Sequence, residues 1–436
     1  MSTIVDIAAQ LQGYDPTALS ADHVNAFLAR LVQPVTETEV LPLVQALDRV
    51  LARDLISPIS VPPHNNSAMD GYAFAGAQMV SGLPTRLRVV GKAMAGATWN
   101  GQVGFGECVK IMTGAVMPSG LDTVAPHEMV SRPTTDSVDH ADSTVELIDI
   151  ADGLLCQGDN QRLAGEDLMV GSVALTGGTR LTPAACGLIA SLGLAQVRVY
   201  RRLKVAYFST GDEILSLGEA PRDGAVYDSN RYTLAGLLAR LGCEAIDLGL
   251  IPDQPAELEA AFQRAAAQAD VIITSGGVSV GEADHTKAVM RRLGEVAFWR
   301  IAMRPGRPMA VGTISQGQRS SVLFGLPGNP VAVMVTFLAF VRPALLQMMG
   351  CRPTQAPFLK AHSLENIRKK PGRTEYQRGV VSVNHLGQLV VRTTGNQGSG
   401  VLSSMVLANG LIVLHHGQGS VSPGDEVDVM MFEGVM

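Results

Sequence analysis

Hydrophobic positions follow three patterns along this chain, and the changes of pattern divide it. From Ser20 the apolar residues Val24, Phe27, Leu28 and Leu31 share one face of a predicted helix that Pro34 stops. A second helix is predicted after Leu41, with Pro42 in its first turn and Leu43, Ala46, Leu47, Val50 and Leu51 aligned. Between residues 56 and 162 short alternating runs, such as 86–90 and 107–112, lie among glycine and proline clusters and predict a small, mainly β domain. Within it the polar stretch 131–145 reads as an exposed loop or hairpin. Thr182 as cap, Pro183 at the first helical position and Gly193 past the end bracket a compact helix.

Residues 203–350 change pattern again. LKVAYFS, EAIDLGLI, DVIITS and SVLFGLP are continuous apolar runs of strand length, separated by helical patterns over 229–241, 255–269, 285–293 and 329–349. This alternation predicts βαβ units: a three-layer α/β domain whose mostly parallel sheet is covered on both faces. Past Pro353 short strands return (VVSV, LVVRTT, GLIVLHH, EVDVMMF), with turns at Asn409-Gly410 and Pro423-Gly424-Asp425, and predict a closing β domain. The organisation expected is multidomain. A discontinuous N-terminal and linker domain, helical and extended, covers 20–54 plus 163–202; a β-rich domain covers 55–162; the α/β domain covers 203–350; a C-terminal β domain covers 351–436.

Composition narrows the function classes. The 436 residues are 46% apolar and 17% charged, which supplies several cores and excludes a disordered chain. A net charge of −6 argues against a general nucleic-acid or anionic-membrane binder, so an anionic ligand would need a local cluster of cations and backbone amides. The apolar run 331–341 is too short for a bilayer and reads as a core helix. MSTIVDIAAQ lacks the basic segment of a signal peptide, and five scattered cysteines without a C-x-x-C fit a reducing cytoplasm. None of the nine histidines makes a metal-ligand pattern. Glycine, at 46 residues, is in excess, and much of that excess falls where the chemistry is expected.

In an open parallel sheet, ligands bind beyond the carboxyl ends of the strands. Following the four predicted strands of the α/β domain come Ser209-Thr210-Gly211-Asp212-Glu213, Ile251-Pro252-Asp253, the loop Ser275 to Asp284, and Gly325-Leu326-Pro327-Gly328-Asn329-Pro330. The third loop, with Gly276, Gly277 and Ser279, can turn its amides toward a phosphate, or can simply be a tight turn. Asn329 and Pro330 cap and open a helix whose positive end faces the same edge, a cap that needs no ligand. Glu213, Asp253 and Asp284 converge there if the sheet forms. Singly each is a solvated acid; together they repel unless they hold a divalent cation such as magnesium. Arg300, Arg304 and Arg307, confined by prolines and a glycine, suit phosphate or another tetrahedral oxyanion, or else form a surface basic patch.

Taken in order, NSAMDGYA, KIMTGAVMP, GDNQRLAGED, FSTGDEI, VYDSNR, GLIPD, SGGVSVGEADHTK, FWRIAMRPGRP and GLPGNPVA resemble the molybdopterin molybdenumtransferase family of molybdenum cofactor biosynthesis, and PGRTEY with GNQGSG extends the likeness into the last domain. The resemblance implies an elongated homodimer that takes adenylylated molybdopterin and molybdate, yields molybdenum cofactor and releases AMP, with magnesium near the pyrophosphate. It implies that Glu213, Asp253 and Asp284 are the acidic, metal-holding positions, and that Asp70 and Thr113 complete the cleft from the other subunit. It also implies substrate contacts from Ser209, Gly211, Gly276, Gly277, Ser279, Arg300, Arg304, Arg307, Pro327, Gly328, Asn329 and Pro330, a charged pair Arg162 and Asp167, and molybdate contacts from Arg373 and Ser399. Arg300 and Arg304 stand where relatives commonly carry lysine. The partners implied are molybdopterin adenylyltransferase and downstream cofactor-handling proteins, with no nucleic acid and no membrane. Two other readings share the fold: the sister adenylyltransferase, whose loop is usually GGTG where Gly276-Gly277-Val278-Ser279 stands, and a non-enzymatic scaffold, against which the intact acids argue.

Overall fold

A computed structural model describes residues 3–132, 146–278, 285–352 and 357–432. Six strands make its central sheet: β1 (Lys204–Thr210), β2 (Glu244–Ile251), β3 (Val271–Ser275), β4 (Gly294–Arg300), β5 (Pro308–Gln316) and β6 (Arg319–Leu326). Their order is β2-β1-β3-β6-β5-β4. The first four run parallel, and β5 runs antiparallel to both of its neighbours, β6 and β4, so the sheet is mixed. The arginines and prolines between β4 and β5 interrupt the apolar run there and hide both strands from a pattern reading.

Alternation along β1 shows why the sheet is covered twice. Val205 and Tyr207 face the helices Ser229–Leu241 and Pro330–Thr336, in a core with Leu234, Val331 and Phe324. Ala206 and Phe208 face the helices Pro255–Gln268 and His285–Leu293, in a core with Leu258, Phe262 and Met290. Helical structure continues from Pro330 to Met348, with Phe337–Val341 in the wider π form. That stretch is long and apolar enough to cross a membrane, yet 78% of it is buried inside the protein, which makes it a core helix.

The helix predicted from Ser20 is present as Ala21–Leu31, and Ser20 Oγ accepts from the His23 amide. It packs against the central sheet, in a core that Val50 also joins. Phe27 packs edge-to-face on Trp299 with ring centroids 4.9 Å apart, and Val24, Phe27, Leu28 and Leu31 join the core of the central sheet. An unanticipated helix, Ile4–Gln10, adds Ile4 and Ile7 to it, held by a reciprocal cap between Thr3 and Asp6. The second predicted helix is absent. Thr38–Pro42 is a strand paired with Gln196–Tyr200, followed by one 3-10 turn at Leu43–Gln45. Ala46 and Leu51 still find apolar partners, Leu181, Ile189 and Val197, across that pairing rather than along a helix, so tertiary contact overrides the local pattern. The compact helix is Pro183–Ser191, with Thr182 as its cap and Gly193 at positive φ.

Two ladders lead out to the β-rich domain and back: Leu55–Ile56 with Val173–Leu175, and Asn66–Ser67 with Gln161–Arg162. The domain itself is a six-stranded sheet. Residues 133–145, where an exposed loop or hairpin is expected, lie outside the described residues. At the other end Thr374–Val383 pairs with Gly410–Leu414 along its first half and with Leu389–Thr393 along its second, and with Leu359–Ser363 and Glu426–Met431 these strands close a barrel. One junction matters for the site. Met303–Arg304 pairs in parallel with Thr374–Glu375, so the segment after β4 is stitched to the barrel.

Candidate active site

The carboxyl ends of β1 and β2 lie side by side, with Thr210 opposite Ile251. Glu213 and Asp253 therefore follow adjacent strand ends, and the Asp253 amide donates to Asp212 Oδ1 at 3.4 Å across the gap. Gly211 has φ +147°, a backbone conformation that favours glycine, and the Glu213 carboxylate folds back to within 2.7 Å of where a Cβ would lie. Thr286 Oγ1 donates to Asp253 Oδ1 at 3.4 Å, and Gly277 packs against the same threonine. The Gly276 amide donates to the Leu326 carbonyl at 3.2 Å, which ties the third loop to the fourth. Asp284 and Ser279 lie outside the described residues. Among the described residues no three His, Cys, Asp or Glu side chains gather as a metal-ligand group.

Beneath this edge runs a buried polar network. Ser209 Oγ donates to Asp228 Oδ1 at 2.9 Å, and Asp228 also caps the helix Ser229–Leu241 through the Arg231 amide at 3.1 Å. Asn230 Nδ2 donates to Ser275 Oγ and to the Gly328 carbonyl, each at 2.7 Å. Ser209, expected to touch substrate, is thus committed to support. Asp228 and Asn230 went unassigned as site residues. Their signal was an Asp placed as helix cap, followed two residues later by an Asn that the helix turns inward.

A cavity of about 460 Å³ opens where the barrel meets the sheet. Arg304, Arg307, Pro327, Gly328, Asn329, Arg373 and Ser399 line it, together with Met303, Gly306 and Gln397. Pro330 opens the adjoining helix at its first turn. Asn329 sits at the cap position without a side-chain cap bond, so its amide group is left to the cavity. The Val331 amide donates instead to the Ser399 carbonyl at 3.1 Å, fastening the barrel loop to the helix start. Gly306, at φ +91°, leaves room for Thr336 Oγ1, which a Cβ would meet at 2.5 Å. Arg373 is held from behind: its Nε and Nη2 donate to Glu375 Oε1 at 2.7 and 2.6 Å, and Glu375 is 3% exposed. Arg300 is outside the cavity lining, exposed at the end of β4, with its amide bonded to the Pro16 carbonyl at 2.8 Å.

Asp70 and Thr113 form a clasp in the β-rich domain. Asp70 Oδ1 accepts from the Thr113 amide at 2.6 Å and from Thr113 Oγ1 at 2.8 Å, which holds the Asp70 carboxyl below the usual aspartate range. Arg162 reaches Glu166, at 4.0 Å, where a pairing with Asp167 is implied; the Asp167 amide bonds the Val61 carbonyl instead.

Three family models cover nearly the whole chain in sequence: the MoeA N-terminal region (domain I and II) over residues 19–193, a "probable molybdopterin binding domain" over 206–347, and the MoeA C-terminal region (domain IV) over 360–432. A molybdopterin molybdenumtransferase from Haemophilus influenzae is 41% identical over 419 residues, covering 96% of this chain and all of the relative. The chain belongs to the molybdopterin molybdenumtransferase family. A relative of the same name from Nostoc is 33% identical over 96% of this chain and 95% of its own length. A solved molybdopterin biosynthesis MoeA protein from Pyrococcus horikoshii OT3 superposes with a TM-score of 0.79 at 26% identity, over 95% of this chain and 100% of that one. The family is one of transferases in molybdenum cofactor biosynthesis, and the multidomain α/β and β architecture is its own.

Proposed function

We propose that this molybdenumtransferase-family chain delivers molybdate to the dithiolene of adenylylated molybdopterin and releases AMP. The observation that carries the reading is the cavity in which Arg304, Arg307 and Arg373 converge with Asn329 and Ser399. Molybdate is a tetrahedral dianion, and planar guanidinium forks offer it paired donors with permanent charge. The sulfurs that take the metal belong to the substrate, so no protein thiol is required. Burial pushes the Cys108 and Cys243 thiols up to about 12, unsuited to nucleophilic work at neutral pH, and no cysteine lines the cavity.

The carboxylate edge serves the phosphates. Glu213 and Asp253, with Asp284, would hold magnesium: their oxygens are hard donors, and Thr210 Oγ1 and Asn230 Oδ1 at the same edge are buried without partners among the described residues, as suits a place that a ligand completes. When bound, the ion offsets charge on the breaking phosphoanhydride. Gly276 and Gly277, both at positive φ, make a turn that can present backbone amides to a phosphate. The chain works as a cytoplasmic homodimer in which the Asp70–Thr113 clasp of one subunit faces the carboxylate edge of its partner. Substrate comes from molybdopterin adenylyltransferase, and the product passes to cofactor-handling proteins.

Purified protein given adenylylated molybdopterin, molybdate and magnesium is expected to release AMP in a molybdate-dependent way. ATP-dependent adenylylation in its place would transfer the chain to the sister activity. The same assay tests the shared cleft. Inactive Asp70→Ala and inactive Glu213→Ala protomers, once mixed, should regain up to about a quarter of the wild-type rate, because half of a random mixture is hybrid and each hybrid keeps one of its two sites intact. No recovery in verified hybrids would count against the shared cleft.

A further inference from the structure

Arg378 lies on the barrel strand Thr374–Val383 and is 1% exposed. Its Nε donates to Ser404 Oγ at 2.9 Å, and its Nη2 donates to the carbonyls of Gly398 at 2.8 Å and Asn396 at 3.3 Å. Its amide donates to Gln397 Oε1 at 2.8 Å, and its carbonyl accepts from Gln397 Nε2 at 3.1 Å. The whole turn 396–398 is thereby fastened to one side chain and its backbone, and this turn delivers Gln397 and Ser399 to the cavity wall.

All of these partners are neutral. On the same strand Arg373 has a carboxylate, Glu375, against its guanidinium, whereas no ion pair among the described residues involves Arg378. A guanidinium sealed among carbonyls and a hydroxyl forfeits hydration that such bonds repay only in part. Burial, with the nearby charge of Arg304, brings the Arg378 pKa down to about 10, so the group is still a cation at neutral pH. Arg304 lines the cavity, so the buried charge lies within electrostatic reach of whatever the cavity holds. A well-packed apolar residue would serve the barrel core at least as well.

We infer that Arg378 is a positioning residue of the oxyanion cavity, and that a bound dianion, rather than any protein carboxylate, is its counter-ion. The inference rests on the reading of this cavity as the molybdate site. It makes the cavity's cation set larger than its visible lining, with one charge placed behind the wall and the others in it.

Calorimetric titration with sodium molybdate, paired with steady-state AMP release, tests it. Arg378→Met should raise the molybdate Kd and KM about tenfold while kcat changes no more than about twofold, and Arg378→Lys, which keeps the charge, should recover most of that affinity. Ser404→Asp approaches from the other side and remains informative where Arg378→Met does not fold. It supplies a protein counter-ion at the Nε contact, so it should leave the thermal midpoint unchanged or higher and yet weaken molybdate about tenfold. A purely structural arginine predicts the reverse: lower midpoints for Met and Lys alike and an unmoved Kd throughout. Molybdate affinity untouched in both Arg378→Met and Ser404→Asp, but lost in Arg373→Ala, overturns the inference alone. Wild-type protein that binds no molybdate, or binding indifferent to Arg373→Ala, overturns the cavity reading and this inference together.

Discussion

The arginine cavity and the carboxylate edge bound the same end of the central sheet, but they are built differently. In the cavity the cations are fixed by regular structure. Arg304 stands on a strand paired to the barrel, and Arg373 is clamped by a buried glutamate. At the edge the acids sit on loops: Glu213 is exposed, Asp253 is half-buried, and the Asp253 amide reaches Asp212 Oδ1 across the gap at 3.4 Å. An anion can enter the cavity with little rearrangement, since the protein has already met the ordering cost. The edge lacks that preparation, and under the proposed function its order would come from substrate and metal. Under the proposed function, the difference would give binding of the oxyanion to the rigid region and the charge-sensitive chemical step to the loose one.

The largest expected effect would break that assignment if it failed. Glu213→Gln and Asp253→Asn should each cut the AMP-release rate at least about 100-fold, because they remove charge where the proposed reaction breaks the phosphoanhydride. Since neither side chain belongs to a packed core, the thermal midpoint should stay within about 2 °C of wild type. Molybdate affinity, measured by titration, should also stay put. A loss of molybdate binding in either variant, with turnover intact at saturating molybdate, would reverse the roles of the two regions.

The two regions also differ in how far the amino-acid order reveals them. Most of the central sheet is legible because the parallel strands are apolar runs of strand length, three of them ending in glycine-bearing loops, and the helices Ser229–Leu241 and His285–Leu293 fall where the pattern puts them. The antiparallel pair β4 and β5 is hidden because the chain between them is interrupted by Arg300, Arg304, Pro305, Arg307 and Pro308. Residues 38–51 mislead in the opposite sense: their apolar spacing suits a helix, but pairing with Gln196–Tyr200 satisfies the backbone first. In the cavity, Arg304, Arg307, Asn329, Arg373 and Ser399 are readable from short motifs. Glu375, Gln397 and Arg378 are not, because what gives them meaning is the junction of Met303–Arg304 with Thr374–Glu375, a contact that no local period records.

A smaller effect would sharpen the comparison, and it lies in the residue shared by both regions. Asn230 is 8% exposed, and its one amide nitrogen spans the Ser275 hydroxyl, at the start of the glycine loop, and the Gly328 carbonyl, on the cavity wall. Asn230→Ala removes both bonds and leaves two buried acceptors short of a donor, a cost of about 1–3 kcal/mol that denaturant titration can read. Because the side chain touches the scaffold of each region, the substitution should move both kinetic constants modestly, with a fall in kcat of about threefold and a rise in molybdate KM of similar size, each worth roughly 0.7 kcal/mol. Asn230→Asp can keep the Ser275 contact by accepting the hydroxyl proton, with the bond reversed, but no longer donates to Gly328. It should therefore spare kcat more than KM. A variant that shifted one constant alone, in Asn230→Ala, would show that edge and cavity are mechanically independent, and that the buried network beneath them supports only the region whose constant moved.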